Sequence, residues 1–109
     1  MKIESKKNGP VMIVSVSGRL DTHTTGQFDQ ALALLTAAEK HLVIDLSELE
    51  YISSAGLRSI LIAAKKVKAN QGRFALSSLT QMVREVFDMS GFSTIIQIYP
   101  DNPSACADI

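Results

Sequence analysis

The sequence predicts an α/β fold, a mostly parallel central sheet flanked by helices, and three observations carry that reading. Leu42-Val-Ile-Asp-Leu46 is a near-continuous apolar run without the alternation of a half-wet strand, as expected of a central strand covered on both faces. The residues that follow, Leu57, Ile60, Leu61, Ala64 and Val67, recur at helical spacing and form one apolar stripe. The same succession of strand and helix then returns, which is the signature of parallel strands joined by helical crossovers.

In chain order, Lys2 to Lys7 reads as a weak strand that pairs with the next as a hairpin through Gly9-Pro10. Val11-Met-Ile-Val-Ser-Val16, rich in β-branched residues and ended by Gly18, reads as a largely buried strand. Asp21-Thr-His-Thr-Thr25 offers several N-caps, and Phe28, Ala31, Leu32 and Leu35 give the first helix over Thr22 to Ala38. The second helix begins near Ser54 and is capped by Gly72. Phe74-Ala-Leu-Ser77 is a third core strand, and Ser78-x-x-Gln81 resembles a capping box opening a helix whose core face is Leu79, Val83, Val86 and Phe87. That helix stops before Gly91, and Thr94-Ile-Ile-Gln-Ile-Tyr99 reads as a last strand ended by Pro100. The order is β(β)αβαβαβ: one domain over residues 1–109, with a core spanning about 2–99 and a polar tail at 100–109 that adds at most a short helix.

Composition narrows the function. At 109 residues the chain suits one core and is too short for a second domain with its own cleft. Eleven basic residues balance eleven acidic ones, so no global field would hold a nucleic-acid backbone or an anionic membrane surface. The single cysteine, Cys106, cannot form an internal disulfide, which fits a reducing, cytoplasmic setting. No signal-peptide run is visible, and no window approaches the roughly 20 apolar residues of a membrane span.

Catalytic and cofactor motifs are missing. Neither GxGxxG nor GxxxxGK[ST] occurs, His23 and His41 lie far apart, and no His, Cys, Asp and Glu set has metal-ligand spacing, so neither a cofactor nor a metal is expected. No histidine follows Ser53 or Ser54, as a nucleophile elbow would require. The expectation is a binding module, not an enzyme.

The concentrated signal is Tyr51-Ile-Ser-Ser-Ala-Gly-Leu57, where a strand turns into a helix. Ser53 and Ser54 should lie beside the unpaired N–H groups of the helix's first turn; one hydroxyl can cap the helix, which leaves the other free. A phosphate there would add a charge of about −1.5 to −2 at the positive end of a helix dipole.

Gly18-Arg-Leu-Asp21, Val43-Ile-Asp-Leu-Ser47, Tyr51-Ile-Ser-Ser-Ala-Gly-Leu-Arg58 and Phe87-Asp-Met-Ser-Gly-Phe92 together resemble the STAS family of anti-sigma factor antagonists and sulfate-transporter domains. The resemblance covers nearly the whole chain and implies a four- to five-stranded sheet with an N-terminal hairpin and three to four flanking helices. In the antagonist branch, it implies that the unmodified protein binds an anti-sigma serine kinase of the histidine-kinase-like ATPase type. Phosphorylation of a serine then releases it, and a PP2C-type phosphatase reverses the modification. The chain departs from the pattern at one place: the usual phosphoserine directly precedes the glycine, where Ala55 stands before Gly56.

Two accounts follow from that departure. Either the kinase uses Ser54, with Ser53 as the alternative, or the chain is not phosphorylated and serves as a scaffold or accessory subunit, stressosome-like or transporter-associated. The residues expected to meet the partner are Asp21, Thr22, Ser53, Ser54, Ala55, Gly56 and Arg58. Asp21 doubles as a candidate N-cap, Asp45 is expected to be hydrogen-bonded within its apolar strand, and Arg58 with Lys65, Lys66 and Lys68 otherwise reads as a solvated helix face.

Overall fold

In a computed structural model describing residues 1–109, the strands form one five-stranded sheet in sequence order: β1 (Lys2–Asn8), β2 (Val11–Leu20), β3 (His41–Ile52), β4 (Phe74–Ser77) and β5 (Gln97–Tyr99). β1 and β2 form an antiparallel hairpin, and every other neighbouring pair is parallel. The helices are α1 (Thr25–Ala38), α2 (Ser54–Ala69), α3 (Gln81–Ser90) and α4 (Asn102–Asp108), and a 3₁₀ turn at Phe92–Thr94 precedes β5.

Strand order explains the layering. Each crossover from β2 onwards steps one strand in the same direction, and right-handed crossovers then put α1, α2 and α3 on the same face. Val14, Val16, Leu42, Ile44, Leu46 and Leu76 point to that face and pack with Phe28, Ile60, Val67, Val83 and Phe87 in a cluster of 18 buried residues. The alternate positions Val11, Val43 and Ala75 point the other way and meet Ala105 of α4 in a cluster of four. Residues 100–109 are therefore not a polar tail outside the core. The one-sided crossovers leave the second face bare, and α4 covers part of it with a fully buried Ala105.

Polar anchors hold α4 there. Asn102 Nδ2 donates to Asp45 Oδ2 at 3.0 Å, and Ser77 Oγ donates to Asn102 Oδ1. Asp45 also accepts from Ser47 N–H at 2.9 Å, so the carboxylate inside the apolar strand is hydrogen-bonded, as its position demands.

Several element ends differ from the sequence expectation. α1 starts at Thr25, because Asp21 to Thr24 close a turn before it: the Asp21 carbonyl accepts from both Thr24 and Thr25 N–H. Gly18 lies within β2, which runs on to Leu20, and β3 continues past Leu46 to Ile52 as its partner. Thr80, not Ser78, caps α3: its hydroxyl accepts from Val83 N–H at 3.3 Å, while Ser78 takes a left-handed φ of 60°. α2 is capped at Asn70. Gly72 serves closeness, since a Cβ there would lie 1.8 Å from the Lys40 carbonyl oxygen. The last strand is shorter than expected, because the 3₁₀ turn takes up Thr94 and only Gln97–Tyr99 pairs with β4.

Candidate functional site

The parallel pairing of β2 and β3 builds the site. Leu20 pairs with Ile52 at the strands' carboxyl ends, and Ser53 N–H donates to the Leu20 carbonyl at 2.9 Å. The segments that leave the two strands, Asp21-Thr22 and Ser53-Ser54, therefore emerge side by side at the carboxyl end of the sheet. Open α/β sheets characteristically place their sites at the carboxyl ends of their strands.

Ser53 is extended, with φ −90° and ψ 171°, and its Oγ accepts from Gly56 N–H at 3.2 Å, which makes it the N-cap of α2. It is half-buried, whereas Ser54, in the first helical turn, is exposed, and the cap leaves its hydroxyl free. Ala55 is half-buried, and Arg58 is exposed one turn further along. Gly56 is buried: a Cβ there would lie 2.8 Å from Leu20 Cγ and 2.9 Å from Ile52 Cγ1. Its missing side chain lets α2 lie against the strand ends, so it shapes the patch from beneath and presents no surface of its own. That differs from its expected place among the contact residues.

Asp21 is half-buried and locked in its turn, accepting at Oδ1 from His23 N–H at 2.9 Å and from Thr24 Oγ1 at 3.3 Å. The His23 amide, helped by Thr24, holds its carboxyl below the usual carboxylate range, so it stays charged. Thr22 beside it is exposed. As a cap, Asp21 acts on the turn and not on α1, whose N-cap position is Thr24.

Sequence reasoning missed Arg19. It pairs in register with Tyr51, its guanidinium lies 4.4 Å from the centre of the Tyr51 ring, and its Nε is 3.7 Å from Asp21 Oδ2. It frames the edge of the patch, and the signal for it was the register of two parallel strands, which local sequence does not display. Lys65, Lys66 and Lys68 are exposed on later turns of α2, away from the patch. No group of three or more His, Cys, Asp or Glu side chains is arranged to hold a metal ion, and no helix is long and apolar enough to cross a membrane.

The patch thus offers a free hydroxyl at a helix N-terminus, a fixed carboxylate and a flanking arginine on rigid strand ends. That suits recognition of a protein surface, with one position where added charge would change the contact.

Comparison with known proteins agrees with the fold. The STAS domain family matches residues 2–105. The chain is 36% identical over 108 residues to BtrV of Bordetella bronchiseptica, covering 98% of this chain and 93% of BtrV. It is 31% identical over 113 residues to an anti-sigma F factor antagonist from Paenibacillus polymyxa, covering 100% of this chain and 95% of the relative. The crystal structure of an anti-sigma factor antagonist from Mycobacterium paratuberculosis matches with a TM-score of 0.92 at 27% identity, covering 99% of this chain and 92% of that one. With the family matched over nearly its whole length and the fold shared with its solved relatives, this chain belongs to the STAS domain family.

Proposed function

We propose that this chain is an anti-sigma factor antagonist that works by partner switching in the cytoplasm. Unphosphorylated, it binds an anti-sigma serine kinase of the histidine-kinase-like ATPase type through Asp21, Thr22, Ser54, Arg58 and their surroundings. The kinase phosphorylates Ser54 and is released, and a PP2C-type phosphatase restores the binding form. The chain itself performs no catalysis.

The observation that carries this reading is the division of labour between the two serines: Ser53 spends its hydroxyl on Gly56 N–H, while Ser54 is exposed in the first turn of α2. A phosphate on Ser54 would sit at the positive end of the helix, so the fold tolerates it while the patch changes charge. The names of the relatives, anti-sigma F factor antagonist among them, support the class of partner.

The test is capture of a kinase on the unphosphorylated chain, addition of ATP, and mapping of phosphate by mass spectrometry. Label on Ser54, loss of the complex, Ser54→Ala retaining the partner and Ser54→Asp weakening it are the expected results. Label confined to residues other than Ser53 and Ser54 overturns the site. A specific observation favours a second reading: Ala55 lacks the hydroxyl that precedes the glycine in the familiar pattern. A chain that holds its partner in ATP and acquires no label would be a non-phosphorylated scaffold or accessory subunit.

A further inference from the structure

β1 closes one edge of the sheet with seven residues in unbroken register, no proline, no bulge and no strand beyond β2. Such an edge is a template for another strand unless it is blocked. The hairpin turn fixes which of its backbone groups are free. Asn8 and Val11 flank the two-residue turn Gly9-Pro10, so they form a hydrogen-bonded pair, and in an antiparallel ladder such pairs alternate with unbonded ones. Lys2, Glu4, Lys6 and Asn8 therefore bond to β2, while the N–H and C=O groups of Ile3, Ser5 and Lys7 point outward. No turn, loop or cap hydrogen bond of the backbone uses them. Ser5 and Lys7 are exposed, and Ile3 is half-buried. The opposite edge offers less, since β5 has three residues and is followed by Pro100.

The charges on β1 select an occupant. Antiparallel pairing of two β1 strands about a two-fold axis must set Ile3, Ser5 and Lys7 against one another, so registers of substantial overlap are centred on Glu4, Ser5 or Lys6. Centred on Glu4, the two Glu4 carboxylates oppose each other and Lys7 finds no partner. Centred on Lys6, the two ammoniums oppose each other and Ile3 finds none. Centred on Ser5, Ile3 pairs with the partner's Lys7, Ser5 with the partner's Ser5 and Lys7 with the partner's Ile3, so every outward group is bonded. In that register Glu4 lies opposite the partner's Lys6 and Lys6 opposite the partner's Glu4, and facing charges of opposite sign stabilise a sheet where like charges weaken it. Lys6 is available for this contact, since the salt bridges of the chain use Lys2, Lys7, Arg19 and Arg84. The lysines that guard this edge against other strands thus admit one register of self-pairing.

We propose that β1 joins two copies of this chain by antiparallel pairing centred on Ser5, which makes one continuous sheet across both copies. A single strand pair buries less than the roughly 800 Å² per partner of a standard interface, so the dimer is weak and forms with rising concentration. Because the paired strands run in opposite directions, the carboxyl ends of β2 and β3 in the two copies point to opposite ends of the dimer. Both Ser54 patches stay open, and the dimer stands or falls independently of the partner-switching reading.

The test is sedimentation of the chain from about 50 µM to about 1 mM, with spectra of the ¹⁵N-labelled chain over the same series. Reversible monomer–dimer association is expected, with the amides of Ile3, Ser5 and Lys7 shifting and exchanging more slowly as concentration rises. Ser5→Pro removes the central donor, which β2 does not use, so it should fold and stay monomeric. Glu4→Lys and Lys6→Glu each set like charges opposite one another and should each weaken association about threefold to tenfold. An equimolar mixture of those two variants should associate more tightly than either alone, since each facing pair is then of opposite sign. Their spectra at low concentration report that they fold. A chain that is monomeric up to about 1 mM overturns the proposal. So do shifts centred on other elements, unchanged association of Ser5→Pro, or a mixture no tighter than its components.

Discussion

Ser53 and Ser54 are neighbours with opposite energetic roles. Ser53 Oγ satisfies one N–H of the first turn of α2, so Ser53→Ala should destabilise the fold by about 1 kcal/mol. Ser54 is exposed outside the cap, so Ser54→Ala should change stability by less than about 0.5 kcal/mol. Urea unfolding of both variants checks the pair, and equal losses would contradict the assignment of the cap. Asp21 gives the site an acid limit. Its folded pKa is depressed, chiefly by the His23 amide, so its contribution to stability is fully present above the unfolded value near 4 and is lost as pH falls through the folded value. Asp21→Asn should therefore be less stable than the parent at pH 7, and the gap should narrow by pH 3. A constant gap across that range, measured by denaturant unfolding, would show that the carboxylate's charge does not hold the turn.

At the scale of elements, the start of α3 shows how a local signal can name the right helix and the wrong cap. Ser78-x-x-Gln81 has the spacing of a capping box, yet Ser78 is held at φ 60°, its N–H donating to the Tyr99 carbonyl at 3.0 Å, and Thr80 caps instead. Thr80→Ala should cost about 1 kcal/mol. Ser78→Gly should leave stability unchanged or raise it by up to about 1 kcal/mol, since a left-handed serine is strained and glycine is not. Thermal unfolding of the two variants distinguishes them, and loss of stability in both would restore Ser78 to the cap. The elements themselves were legible in the sequence because Leu42–Leu46 is a near-continuous apolar run, α2 carries an apolar stripe at helical spacing, and Phe74–Ser77 is a short apolar run between turn signals. The Ser53-Ser54 turn was legible too, since a serine pair at a strand-to-helix boundary has few structural uses. What stayed hidden depends on contacts distant in sequence. Ile52 runs out to Leu20, Arg19 reaches Tyr51, and Gly56 and Gly72 are required by atoms of Leu20 and Lys40.

At the scale of the whole molecule, the one-directional strand order makes the two faces of the sheet unequal. One carries α1, α2 and α3 over 18 buried residues, and the other carries α4 over four. A seven-residue helix has little stability of its own, so α4 depends on Ala105 packing and on the link from Asn102 to Asp45 and Ser77. Elements with few buried contacts open before the global core does. Asn102→Ala removes a partner from the fully buried Ser77 hydroxyl and from Asp45, a loss of about 1–3 kcal/mol concentrated where α4 docks. Amide hydrogen exchange of the variant should therefore accelerate at Ala105 and Cys106, while Ile44 on the main face exchanges at nearly the parent rate. Equal acceleration at Ile44 would mean that α4 and the main core unfold together, and that the second face is as integral to the fold as the first.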